Sequence, residues 1–184
     1  ALSLGFSHFG VTAPTPHPNL AHYENWIAEN RQAGMAYMAR PDRLEKIKDP
    51  RKIFPSCKSI LVFALPYHPA KKIDKPLKNN IGQIASYAIG PDYHNIIPNL
   101  LEKIMNAAQK AFPSISFEYK IYTDTGPILE KAYAQSAGLG WIGKNSCLII
   151  PKFGSYCFLA EILLNIELPF DEHFSQDLCG TCQA

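Results

Sequence analysis

Asp124 to Asn145 reads D-T-G-P-I-L-E-K-A-Y-A-Q-S-A-G-L-G-W-I-G-K-N, and the fold turns on this stretch. A strand-like run, Ile115 to Tyr122, leads into a turn holding Asp124, Thr125, Gly126 and Pro127. Ile128, Leu129, Ala132, Tyr133 and Ala137 then recur at three- and four-residue steps, which predicts a helix with one apolar face packed on a sheet. Asp124 or Thr125 suits the helix cap, and Pro127 the first turn, where its missing N–H leaves nothing unpaired. Gly138 and Gly140 end the helix, and a loop of Trp141, Gly143, Lys144 and Asn145 follows, with an aromatic face, a cation and an amide. Two uses of the stretch stay open: a cap and turn glycines, or side chains aimed at a ligand.

At 184 residues, 47% hydrophobic and 18% charged, the chain is long enough for one packed core and too apolar for disorder. A net charge of +2 neither demands nor excludes a nucleic-acid partner. No apolar run reaches membrane-spanning length and the first residues lack a secretory pattern, so a cytoplasmic protein without a membrane partner is expected. Five cysteines, an odd number, argue against a disulfide framework. Cys57, Cys147 and Cys157 stand among apolar neighbours and read as core thiols.

Ser59 to Leu65 is a continuous apolar run of strand length, expected at the centre of a sheet with both faces buried. Upstream, a helix remnant at Ala1 to Leu4, a strand at Phe9 to Thr12 and a helix from Leu20 to about Gly34 are expected. Arg40 to Arg51 reads as a solvated charged face or an anion-binding edge. Downstream of the central run, Tyr67 and His68 are followed by a lysine- and proline-rich loop from Pro69 to Asn80. A weak strand is expected over Gln83 to Ile89. Asp92, Tyr93 and His94 then open a helix running to about Phe112, with Pro98 expected in its first turn. The three bring a carboxylate, a phenol and an imidazole together, as a polar helix start or as proton-transfer groups. Ser146 to Ile150 and Ser155 to Ile166 suggest a hairpin closed by the turn at Pro151 to Gly154.

Near the end stands Cys179-Gly180-Thr181-Cys182. C-x-x-C is half of a zinc knuckle or the opening of a ferredoxin-type run, and two thiolates close neither site. A domain cut from a longer protein is expected on that ground.

Taken together, Met35 to Arg40, Asp49-Pro50-Arg51, Ser86-Tyr87-Ala88, Asp92-Tyr93-His94, the D-T-G-P-I-L-E turn, A-G-L-G-W-I-G-K-N and C-G-T-C resemble the epoxyqueuosine reductases. The resemblance implies an α/β (α+β) domain of nitroreductase-like, cobalamin-processing-like type, with a central mixed sheet flanked by helices. It implies a cobalamin-binding catalytic domain over residues 1–178, and the start of a ferredoxin-like domain with two 4Fe-4S clusters over 179–184. Base-off cobalamin would be reduced through those clusters and act on the epoxide of epoxyqueuosine in tRNA. An external flavodoxin- or ferredoxin-type donor would supply the electrons to a cytoplasmic monomer. Asp124 matches the family's general acid and Asp92 a second active-site acid. Ser86, Tyr93, His94, Asp124, Lys144 and Asn145 match positions beside the cofactor, and Cys179 and Cys182 cluster ligands. Ser86 and Pro91 depart from the family, whose members often carry basic residues there. A flavin-dependent nitroreductase, a non-catalytic cobalamin carrier, and a zinc or iron–sulfur module are the alternatives.

Overall fold

The computed structural model describes residues 1–67 and 84–183. Its frame is β2, Ser59–Pro66, whose alternation sends Ile60, Val62 and Ala64 into one core and Leu61, Phe63 and Leu65 toward another. Full burial of a side chain such as Ile60 or Val62 contributes about 1.5–3 kcal/mol. Strand β1 (His8–Thr12) pairs on one side of β2 and β6 (Cys157–Leu164) on the other, and β3 (Tyr119–Tyr122) adds beyond β6. The central run is therefore buried on both faces, as its composition predicts.

Helix α3 (Tyr93–Ala111) covers one face with Ile97, Leu101 and Met105, joined by Phe6. Helix α4 (Glu130–Ser136) covers the other with Tyr133 and Ala134, beside Ile53, Phe54, Leu139 and Leu148. Helix α1 (Leu20–Ala28) buries no residue fully, and α2 (Pro41–Lys48), formed by the charged run, anchors itself by Ile47 alone. Two layers of helix around one sheet give the expected α+β class.

The sheet itself corrects the expectation of a mixed one, because every pairing among the described residues is antiparallel. Strands β2 and β3 do run the same way, with α3 between them in sequence. β6 inserts between them, registering eight residues against β2 and four against β3. The same insertion undoes the expected hairpin. β5 (Leu148–Ile149) pairs with β4 (Trp141–Ile142), and only an Ile150–Gly154 bridge closes the turn before β6.

Other local expectations shift for similar reasons. Ser86–Ala88 is a 3-10 turn rather than part of a strand. Pro98 lies inside α3, past its first turn, and the helix survives because its apolar face is buried. Cys57 is buried and Cys157 half-buried, with burial pushing each thiol up to about 11, whereas Cys147 is exposed on the turn before β5. His68 and the loop from Pro69 to Asn80 lie outside the described residues.

Gly10 shows how tightly β1 meets α4. A Cβ there would stand 2.1 Å from the Ala137 carbonyl oxygen, so only glycine lets the strand pass the helix end. Gly10→Ala should destabilise the chain by at least about 2 kcal/mol. A urea midpoint equal to that of the parent would show that strand and helix do not touch there.

Candidate active site

Asp124 follows β3 by two residues and does not cap α4, whose N-cap is Leu129 with no side-chain bond. Ile128 and Leu129 turn inward instead, against the core beneath α4, and delay the helix to Glu130. The turn is held from three sides. Thr123, buried, donates its hydroxyl to the Leu159 carbonyl at 2.9 Å; Arg43 of α2 donates to the Gly126 carbonyl at 3.2 Å; and the Asp124 N–H donates to the Glu130 carboxylate. Asp124 sits at φ +59°, a left-handed conformation that costs on the order of 1 kcal/mol for a residue with a side chain.

That conformation carries the Asp124 carboxylate to the start of α3. Its Oδ2 accepts from the Tyr93 hydroxyl at 2.9 Å and lies 3.3 Å from His94 Nε2. The other imidazole nitrogen, Nδ1, is 2.8 Å from Asp92 Oδ1, which also accepts the His94 N–H as the helix cap. Asp92 therefore caps the helix and contacts the His94 ring at once. The result is a row, Asp92–His94–Asp124, with Tyr93 stacked on His94 at 4.0 Å and on Phe158 of β6 at 4.0 Å.

The charges in this row follow from its geometry. Asp92, foremost, then Asp124 favour the imidazolium, so the His94 pKa is raised despite some desolvation. The His94 amide and ring hold the Asp92 carboxyl below its usual range. Burial, then the bond to Asp124, keep Tyr93 protonated as a donor. Phenol and imidazolium thus both present hydrogen-bond donors to the Asp124 carboxylate, whose side chain is 61% exposed.

Two clefts flank the row. One of about 420 Å³ runs between α1, α2 and α4, lined by Asn19, Met38, Arg43, Ile128, Leu129 and Lys131, with Asp124 at its edge. The other, about 310 Å³, is walled by Tyr67, Tyr87, Tyr93 and Phe158, and Ser86 lies in it.

The remaining expected site residues sit elsewhere. Lys144 Nζ donates to the carbonyls of Gly180 and Cys182, at 3.0 and 2.7 Å, and so fastens the cysteine turn to the glycine loop. Asn145 accepts the Cys147 N–H at 3.1 Å and shapes the loop. Trp141 is buried, stacked on Phe174, and donates to Cys179 Sγ at 3.3 Å. Among the described residues no three metal-ligating side chains gather, so Cys179 and Cys182 stand as two thiols of one turn.

Two acids carry little signal in the sequence. Glu130 reads only as part of the helix, yet it grips Asp124. Glu161 lies fully buried in the middle of β6, and its one signal was a lone acid in F-L-A-E-I-L-L.

The α+β domain thus presents a carboxylate, an imidazole and a phenol in one row at the end of its sheet, the residue types that proton-transfer sites use. Known proteins narrow this further. A family model described as epoxyqueuosine reductase QueG, DUF1730, matches residues 48–125. Epoxyqueuosine reductases of Leadbetterella byssophila and Synechocystis are 37% and 41% identical over 100% and 86% of this chain. The solved epoxyqueuosine reductase of Streptococcus thermophilus superposes with TM-score 0.84 at 31% identity over 99% of the chain. One from Bacillus subtilis, solved with its aspartate-bearing catalytic loop swung out of the active site, gives 0.77 at 27% identity over 98%. In sequence and in fold alike, the chain is similar to the epoxyqueuosine reductases. It spans 58% and 52% of those two relatives, and 48% and 47% of the two solved chains.

The row predicts an unusual histidine. His94 should titrate above 6.5, and Asp92→Asn should bring its midpoint down. Because its folded pKa is raised, the stability it contributes is full below its unfolded pKa and is lost as pH rises through the folded one. Histidine ring proton shifts followed against pH would check this, and an unmoved midpoint in the variant would remove Asp92 from the row.

Proposed function

We propose that this chain is the cobalamin-binding catalytic portion of a cytoplasmic epoxyqueuosine reductase, which reduces epoxyqueuosine to queuosine in tRNA. The observation that carries the reading is the Asp124 carboxylate, excluded from capping α4 and presented instead to solvent between Tyr93 and His94. The family and the related structure of a reductase with an epoxyqueuosine-modified tRNA-Tyr stem loop support the substrate.

Losing an epoxide oxygen consumes protons as well as electrons. Asp124 in its acid form donates to that oxygen as the C–O bond breaks, neutralising charge on a poor leaving group. His94, 3.3 Å away and favoured as the imidazolium, returns a proton, and the Tyr93 hydroxyl fixes the orientation of the carboxyl. Asp92 acts through His94, holding its ring by Nδ1.

The residues fit a flat, amide-fringed cofactor. Ile128, Leu129 and Met38 give the larger cleft apolar wall, while Asn19, Arg43 and Lys131 offer polar groups for amide side arms. Ser86 and Tyr93 line the second cleft, and His94, next to Tyr93, stands in the row itself. Base-off cobalamin would supply the reducing nucleophile there. Lys144 and Asn145 act one step back, setting the glycine loop. An iron–sulfur cluster does not fit the residues present, since Cys179 and Cys182 supply two thiolates. Two 4Fe-4S clusters are assigned to the whole enzyme, fed by a flavodoxin- or ferredoxin-type donor, and the chain is assigned as a monomer without a membrane partner.

Titrating the chain with cob(II)alamin should remove the lower-base nitrogen splitting from the electron paramagnetic resonance spectrum. Asp124→Asn should keep that change yet lower turnover of an enzyme carrying the chain by about 100-fold or more. Binding with undiminished turnover would make Asp124 a bystander, and an unaltered spectrum would remove cobalamin from the cleft.

A further inference from the structure

Glu161 is the most anomalous group in the core. It sits in β6 between Val62 of β2 and Tyr122 of β3, is 0% exposed, and neither carboxylate oxygen has a hydrogen-bond partner among the described residues. Alternation along β6 sends Phe158, Ala160, Ile162 and Leu164 to the α3 face and Cys157, Leu159, Glu161 and Leu163 to the face under α4. Glu130 opens α4 on that same face, and its carboxylate accepts the Asp124 N–H.

We propose that Glu130 and Glu161 form a positioning pair for Asp124: Glu161 stays protonated in the core, and ionised Glu130 grips the Asp124 amide and fixes the acid in its row. The proposal rests on the reading of Asp124 as the acid. An unpaired ionised carboxyl in apolar surroundings would lose all its hydration, so Glu161 keeps its proton. Two neighbouring carboxyls do not both ionise readily, so the proton that leaves is the one on Glu130, the less buried and the better partnered of the two.

The charge state of Glu130 then decides the strength of the grip. An ionised acceptor bonds an amide roughly twice as strongly as a neutral one. That bond holds Asp124 at φ +59°, where its carboxylate meets Tyr93 and His94. The groups around Glu130 are Asp124 in the turn, Lys131 on its own helix, His94 of α3 and Glu161 of β6, with Arg43 of α2 bonded to the same turn. Burial, the largest influence, and the Asp124 charge raise Glu130, while the Asp124 amide, Lys131 and His94 lower it, leaving it at about 7. Burial, with Glu130 beside it, holds Glu161 well above the usual carboxyl range. The grip is on above neutrality and relaxes below it.

The test needs neither cofactor nor turnover. In the unaltered chain, labelled with ¹³C at its glutamate carboxyls, one resonance should keep the shift of a protonated acid until the fold is lost. A second should titrate near 7, and the Asp124 amide proton should follow it. Glu130→Gln should abolish the amide titration, and Glu161→Gln should leave its midpoint in place, one neutral group replacing another. Glutamates that all titrate in the ordinary range, an amide that ignores Glu130, or a Glu161→Gln midpoint displaced tenfold or more in proton concentration in either direction would each overturn the pair. Loss of turnover in Asp124→Asn is a separate result, so the pair can stand while the reductase reading falls, and the reverse.

Discussion

The constraint behind this architecture is that β2 is apolar on both sides. One strand that must be covered twice requires two layers, and α3 and α4 provide them on opposite faces. Since β6 inserts antiparallel between β2 and β3, the end of β3 and the start of β6 lie at one end of the sheet. The N-terminal residues of both covering helices meet there. Tyr93 and His94 come from one layer, Glu130 from the other, and Asp124 stands between them. The row is a consequence of sandwiching a single strand.

Much of this was legible because it is local. A seven-residue apolar run declares a central strand, and Asp92 followed by Tyr93 and His94 declares a helix start rich in proton-transfer groups. What was not legible depends on partners far along the chain. Nothing near Ser146 to Ile166 reveals that β5 turns to β4 while β6 finds β2 and β3. Asp124 followed by Thr125, Gly126 and Pro127 is a good local cap, yet Ile128 and Leu129 gain more from the core than from one further helical turn. Trp141 offers an aromatic face in the sequence, and nothing near it signals that Phe174 covers that face.

Spacing alone poses a choice between capping a helix and contacting other side chains, and Asp92 does both whereas Asp124 does not cap. Asp92 caps α3 and thereby comes within 2.8 Å of His94 Nδ1, so one carboxylate orders the helix start and charges the ring. Asp124 is unavailable as a cap because α4 begins too late. Its left-handed backbone is a local cost that only contacts from α2, β6 and α4 around the turn offset.

Glu161 follows the same logic at greater depth. A hydrophobic side chain would satisfy β6 as well as its neighbours do, and an unpartnered acid in a core is a defect by every rule of folding economy. As the neutral acid its desolvation is tolerable, but its stability contribution falls as pH rises above the unfolded carboxyl's pKa, because the folded chain keeps a proton that the unfolded one releases. The charge on Glu130 answers first to its burial and then to groups of the site, namely Asp124, Lys131 and His94, so that scaffold and chemistry together set the hold on the Asp124 turn.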